Sequence, residues 1–127
     1  MTRSADDLVT EFCALWSNPD PDEILSYFTE DGVYHNMMMP PAEGRAALKE
    51  FLIAMLDGFE GIDFTVHRQF SQGNVVMTER TDVMRRTDGG RLELPVMGTF
   101  EVRDGQIAAW RDYFDQGTVM RGLGTAY

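Results

Sequence analysis

The hydrophobic period changes once along this chain, and that change decides what it can fold into. Up to Gly58 the apolar residues recur at helical spacing: Leu8, Phe12, Leu15 and Trp16, then Ile24, Leu25 and Phe28, then Leu48, Phe51, Leu52, Met55 and Leu56. Beyond Gly58 they alternate one in two, the period of a strand with one buried face. Phe64, Val66 and Phe70 alternate there against Thr65, His67 and Gln69, and "GN", "TDGG" and "DG" mark turns between long strands. Helices at the front and a meander behind predict an α+β domain in the order ααβαββββ. In such a domain a curved, mostly antiparallel sheet closes over helices and leaves a cavity.

Local signals set the expected boundaries. Ser4 followed by Asp7 starts the first helix, which "SNPDP" interrupts, and Asp20-Pro21 opens a second that stops at Asp31-Gly32. "VYHN" reads as a brief strand, and Pro40-Pro41 forces a turning connection into the third helix. The last three strands are expected over roughly 75–86, 92–103 and 106–114.

The 127 residues predict one domain spanning 1–127. A net charge of −10 repels phosphate backbones and anionic lipid, so neither nucleic acid nor a membrane surface is an expected partner. The single cysteine, Cys13, has no partner for an internal disulfide and reads as a small buried hydrophobe. "MTRSADDLVT" lacks the apolar run of a signal peptide, so a reduced, cytoplasmic setting is expected.

Chemistry enters with "ERTDV". Arg80 and Asp82 lie two apart on a strand and share one face with Met84, as Trp110, Asp112 and Phe114 do on the last strand. Tyr34 and Asn36 share a face of "VYHN", with His35 opposite. Each feature alone has a plain explanation. An Arg and Asp at this spacing describe a solvated surface pair, Tyr34 a core tyrosine and Asn36 a turn residue. Three strands offering polar groups to one apolar interior do not. His35 and His67 stand without Cys or carboxylate at ligand spacing, so no metal site is expected. Met37, Met38 and Met39 could line a pocket or fill gaps.

The stretches "YHNMMMPPAEGR", "TERTDVMRR" and "GTFEVRDGQIAAWRDYFD" together resemble the limonene epoxide hydrolase family, within the wider SnoaL-like, cystatin-like α+β cone fold. The resemblance implies a mixed sheet wrapped around helices with a deep apolar pocket, a homodimer formed through the sheet, no metal or organic cofactor, and conversion of an apolar epoxide to a vicinal diol in one step. It assigns Tyr34 and Asn36 to holding the water, Arg80 to bridging, Asp82 to the acid and Asp112 to the base. It also places Met55, Phe59, Phe64, Met84, Leu94, Val96 and Phe114 on the pocket wall. The tail "QGTVMRGLGTAY" carries little of the likeness.

These residue types suit the reaction. Water offers two hydrogens, which Asp112 and the Asn36 carbonyl can accept, and two lone pairs, one of which the Tyr34 hydroxyl can engage; the other is left for carbon. Asp112 must be ionised and Asp82 protonated, a division that burial, repulsion and a shared guanidinium can impose. Two other functions of the same fold stay open at this point. One is an isomerase or polyketide-type cyclase using an Asp on a carbon acid. The other is a noncatalytic module that holds an apolar ligand.

Overall fold

The Ser4 hydroxyl accepts the Asp7 amide at 3.0 Å and so caps α1 (Ala5–Leu15), whose buried Leu8, Val9, Phe12 and Cys13 face the sheet. The computed structural model describes residues 3–123. Asp20 caps α2 (Pro21–Ser26) with Pro21 inside its first turn. The helix ends at Ser26, not at Asp31-Gly32. Phe28 fits the spacing of a helical face, yet it opens β1 (Phe28–Asn36), where pairing with Ile107 buries it completely. Strand pairing has overridden the helical period.

A two-residue β2 (Ala42–Glu43) precedes α3 (Arg45–Leu56), and four long strands follow: β3 (Phe59–Gln72), β4 (Val75–Arg86), β5 (Arg91–Arg103) and β6 (Gln106–Tyr113). A short α4 (Gln116–Gly122) comes after them, capped by Asp115. Neither β2 nor α4 is expected from the sequence. Residues 124–127 of the tail lie outside the described residues.

The sheet order is β2-β1-β6-β5-β4-β3, open at both ends, and only the β1/β6 pair is parallel. This is the mixed, mostly antiparallel sheet the sequence predicts. Of the register shifts in the sheet, one reverses the alternation expected for β3. Val66 pairs with Arg80 but Arg68 pairs with Glu79, so His67 is an extra residue in β3. Everything after it changes face. Phe70, expected beside Phe64 and Val66, instead lies opposite Met77 on the outer side and is 72% exposed.

Between the inner face and the helices sits an aromatic core. Phe12 is fully buried and meets Trp16, Phe28, Phe100 and Trp110 edge-on, with ring centroids 5.1–6.1 Å apart. Truncating such a residue costs about 3–5 kcal/mol. This rigid block is the backing on which the polar residues of the sheet are held.

Candidate active site

Strand register brings the polar residues together. Asn36, Asp112, Gly98 and Thr78 form one row across β1, β6, β5 and β4, and Tyr34, Trp110, Phe100 and Val76 form the row beside it. Arg80 and Asp82 follow Thr78 on the same inward face of β4. Parallel pairing of β1 with β6 thus sets Asn36 next to Asp112, although 76 positions separate them in the chain.

Arg80 joins the two acids. Its Nε and Nη2 donate to Asp82 at 3.0 and 2.9 Å, and its Nη1 and Nη2 donate to Asp112 at 3.2 and 2.8 Å. The remaining N–H goes to the Thr78 hydroxyl at 3.1 Å. All five guanidinium donors are used, which no other side chain could do. Arg80 reaches β6 by passing over Gly98. A Cβ there would stand 2.4 Å from Asp112 Oδ1 and 2.5 Å from Arg80 Nη1, so only glycine leaves the path open.

The cluster is dry. The Arg80 side chain has no exposure, and those of Asp82 and Asp112 have 6% and 5%. Phe64 covers the guanidinium, its ring centroid 4.5 Å from Cζ. Burial lifts the Asp82 carboxyl above the ordinary carboxylate range; the Arg80 hydrogen bonds and charge pull it back, and the Asp112 charge adds to the rise. Burial also works against the Arg80 charge, but its two acid partners outweigh it. The Tyr34 phenol is pushed well above its usual range, first by burial and then by Asp112, and so stays a donor. Burial likewise drives the Cys13 thiol up to about 12, which leaves it inert.

Above the cluster opens a cavity of about 430 Å³. Tyr34, Asn36, Asp82 and Asp112 line it together with all seven expected wall residues, Met55, Phe59, Phe64, Met84, Leu94, Val96 and Phe114. Arg80 lies behind the floor and is not part of the lining. The Met55 sulfur holds the floor from above, receiving the Tyr34 hydroxyl at 3.7 Å and the Asn36 amide at 4.0 Å. Met38 and Met39 line the cavity while being 68% and 42% exposed, so neither fills the core. His35 projects from the opposite face, and His67 bonds Thr81 outside at 2.8 Å. Among the described residues no group of three or more His, Cys, Asp or Glu side chains gathers as a metal site.

Sequence reasoning misses four contributors. Alternation puts Trp110 on the Asp112 face but does not mark it as a donor, and its indole N–H reaches Asp112 Oδ1 at 2.7 Å. Thr78 carries no signal of its own. Gly98 does carry one, since a lone glycine inside a strand marks a close approach. The last is α4, whose Gln116, Val119 and Met120 complete the wall together with Leu123.

A profile of the SnoaL-like domain family matches residues 9–110. The chain is 34% identical over 115 residues to epoxide hydrolase EphG of Mycobacterium tuberculosis, covering 91% of this chain and 76% of that protein. It superposes on the structure of an LEH-like epoxide hydrolase from M. tuberculosis with a TM-score of 0.79 at 34% identity, over 94% of this chain and 88% of the other. SalBIII, an epoxide hydrolase/cyclase-like enzyme of pyran ring formation in salinomycin, shares the fold at a TM-score of 0.79 and 18% identity, over 90% and 92% of the two chains. Among the described residues no helix is long and apolar enough to cross a membrane. By profile, sequence and fold, the chain belongs to the SnoaL-like domain family and is a homologue of its LEH-like epoxide hydrolases.

Proposed function

We propose that this protein is a cofactor-free epoxide hydrolase that opens an apolar epoxide to a vicinal diol by one-step attack of water. One observation carries the reading: two buried carboxylates share a guanidinium at the floor of an apolar cavity, beside an amide and a phenol. In this reading the attacking water is held by Asp112, the Asn36 carbonyl and the Tyr34 hydroxyl, which turns to it from the Met55 sulfur. As its oxygen bonds to an epoxide carbon, a proton passes to Asp112; the broken C–O bond leaves its electron pair on oxygen, which takes a proton from Asp82. Arg80 holds both acids and transfers nothing. The proton gained by Asp112 must then return to Asp82 to reset the site. Desolvation favours the protonated form of Asp82, as the acid role requires.

An isomerase acting on a carbon acid would need one base and a neutral donor, and would leave the Arg80-held second carboxylate without a task. A module that merely binds an apolar ligand would gain nothing from a buried charge cluster that costs desolvation. The working form is a homodimer joined through the outer sheet face, where Met97 and Tyr113 pair and are 52% and 49% exposed. We place it in the cytoplasm.

Single turnover in oxygen-18 water, with enzyme in excess over an apolar epoxide, tests the mechanism. Label in the first diol is expected. An unlabelled first diol, with label appearing on Asp112, would establish a covalent ester instead. Absence of diol across a panel of apolar epoxides would defeat the function itself.

A further inference from the structure

Arg80 treats the two acids almost alike, giving each two hydrogen bonds of 2.8–3.2 Å. It cannot by itself decide which of them keeps the proton. The asymmetry comes from Trp110. Its fully buried indole N–H donates at 2.7 Å to Asp112 Oδ1, which also accepts from Arg80 Nη1. Both neighbours are donors only, so that oxygen has no place for a proton. Only Oδ2 of Asp112 could be protonated, and it already accepts from Nη2. On Asp82 each oxygen takes a single hydrogen bond from Arg80, and either can carry a proton.

We propose that the Trp110 indole N–H is the positioning group that makes Asp112, rather than Asp82, the carboxylate without the proton. The inference rests on the acid and base roles proposed above, and it adds the device that assigns them. Trp110 is itself locked, stacked on Tyr34 at 4.1 Å and 3° between planes and on Phe100 at 5.2 Å and 16°. Its N–H therefore cannot turn away from Asp112. The other titratable groups facing Asp112 are Arg80 and Asp82 from β4, Tyr34 from β1 and Cys13 from α1, with Asp57 on the wall of the same cavity. On β5 the facing positions are Val96, Gly98 and Phe100, none of which titrates.

The test removes the N–H and keeps the ring. Replacing Trp110 with benzothienylalanine exchanges N–H for sulfur at nearly constant shape, and Trp110→Phe is the simpler companion. Carbon-13 NMR of labelled aspartates follows Asp112 and Asp82 in the free protein, and the pH profile of kcat follows the working enzyme. Loss of a hydrogen bond to the charged form should make Asp112 easier to protonate, so its carboxyl signal should change at higher pH than in the wild type. The acid limb of kcat should move with it while KM changes little. An unchanged Asp112 titration in the analogue would overturn the proposal, whatever the activity. A wild-type protein that opens no epoxide would leave the NMR arm decisive for Trp110 and defeat only the hydrolase reading. If Trp110→Phe fails to fold, the titration of the analogue decides alone.

Discussion

Strand β4 carries arginine–acid pairs on both of its faces, and the two sets behave as different chemistry. Outside, Glu79 meets Arg68 across the β3/β4 ladder and Arg85 meets Asp63 at 3.0 Å, all with substantial solvent contact. Inside, Arg80 meets Asp82 and Asp112 with almost none. The residue types and the strand are the same. What differs is the cover: water outside, aromatic rings inside. An exposed pair contributes about 0–1 kcal/mol and serves solubility, whereas a buried cluster costs desolvation and is retained for what it does.

The sharpest way to break the contrast is to neutralise the inner acids. Asp112→Asn and Asp82→Asn should each lower kcat by about 10²–10⁴ with the fold intact by circular dichroism, each removing one proton transfer. Near-native turnover in either variant would reduce the inner cluster to a buried version of the outer pairs. Next comes Gly98→Ala, which alters no polar group but puts a methyl where Asp112 and Arg80 pass. A displacement of this size should cost roughly 10²-fold in kcat/KM, and an unaffected enzyme would show that Arg80 need not span β5. A smaller effect lies in stability against pH. Because the Asp82 carboxyl is raised in the folded state, its contribution is fully present below the ordinary carboxylate range and fades as pH rises through its raised value. Asp82→Asn removes that fall, so urea midpoints of the variant relative to wild type should improve with rising pH. A constant difference would contradict the raised titration. At the bottom of the scale stands Glu79→Gln on the outer face, expected within about 0.5 kcal/mol of wild type and with unchanged turnover.

How much of this is legible beforehand follows from what each signal measures. Alternation places a side chain on a face, so Arg80 with Asp82, Trp110 with Asp112 and Tyr34 with Asn36 are legible as pairs. It does not say which strands are neighbours. The parallel β1/β6 pairing that joins two of those pairs is seen in the fold and not in the periodicity. Nor does alternation announce where it stops: nothing in "TVHRQF" marks His67 as the bulge that turns Phe70 outward. Phe28 satisfies two periods at once, and pairing chooses. The α4 segment "QGTVMRG" has two glycines and no apolar stripe, so it forms against a wall rather than by its own propensity. Gly122 lies so close to Leu92 that a Cβ would sit 2.2 Å from Cδ1.

The sheet order has a consequence for how the protein is made. The last strand of this sheet in chain order, β6, is not an edge but slots between β1 and β5. Until it arrives, β1 and β5 each carry an unpaired backbone edge, and Arg80 and Asp82 face an interior that lacks Trp110 and Asp112. The longest-range pairing in the molecule is therefore also the closing one, which places it among the slow, non-local steps of folding. A nascent chain halted near "RDG" carries two open strand edges beyond those of the finished sheet and an incomplete charged cavity, the kind of intermediate that associates with its neighbours.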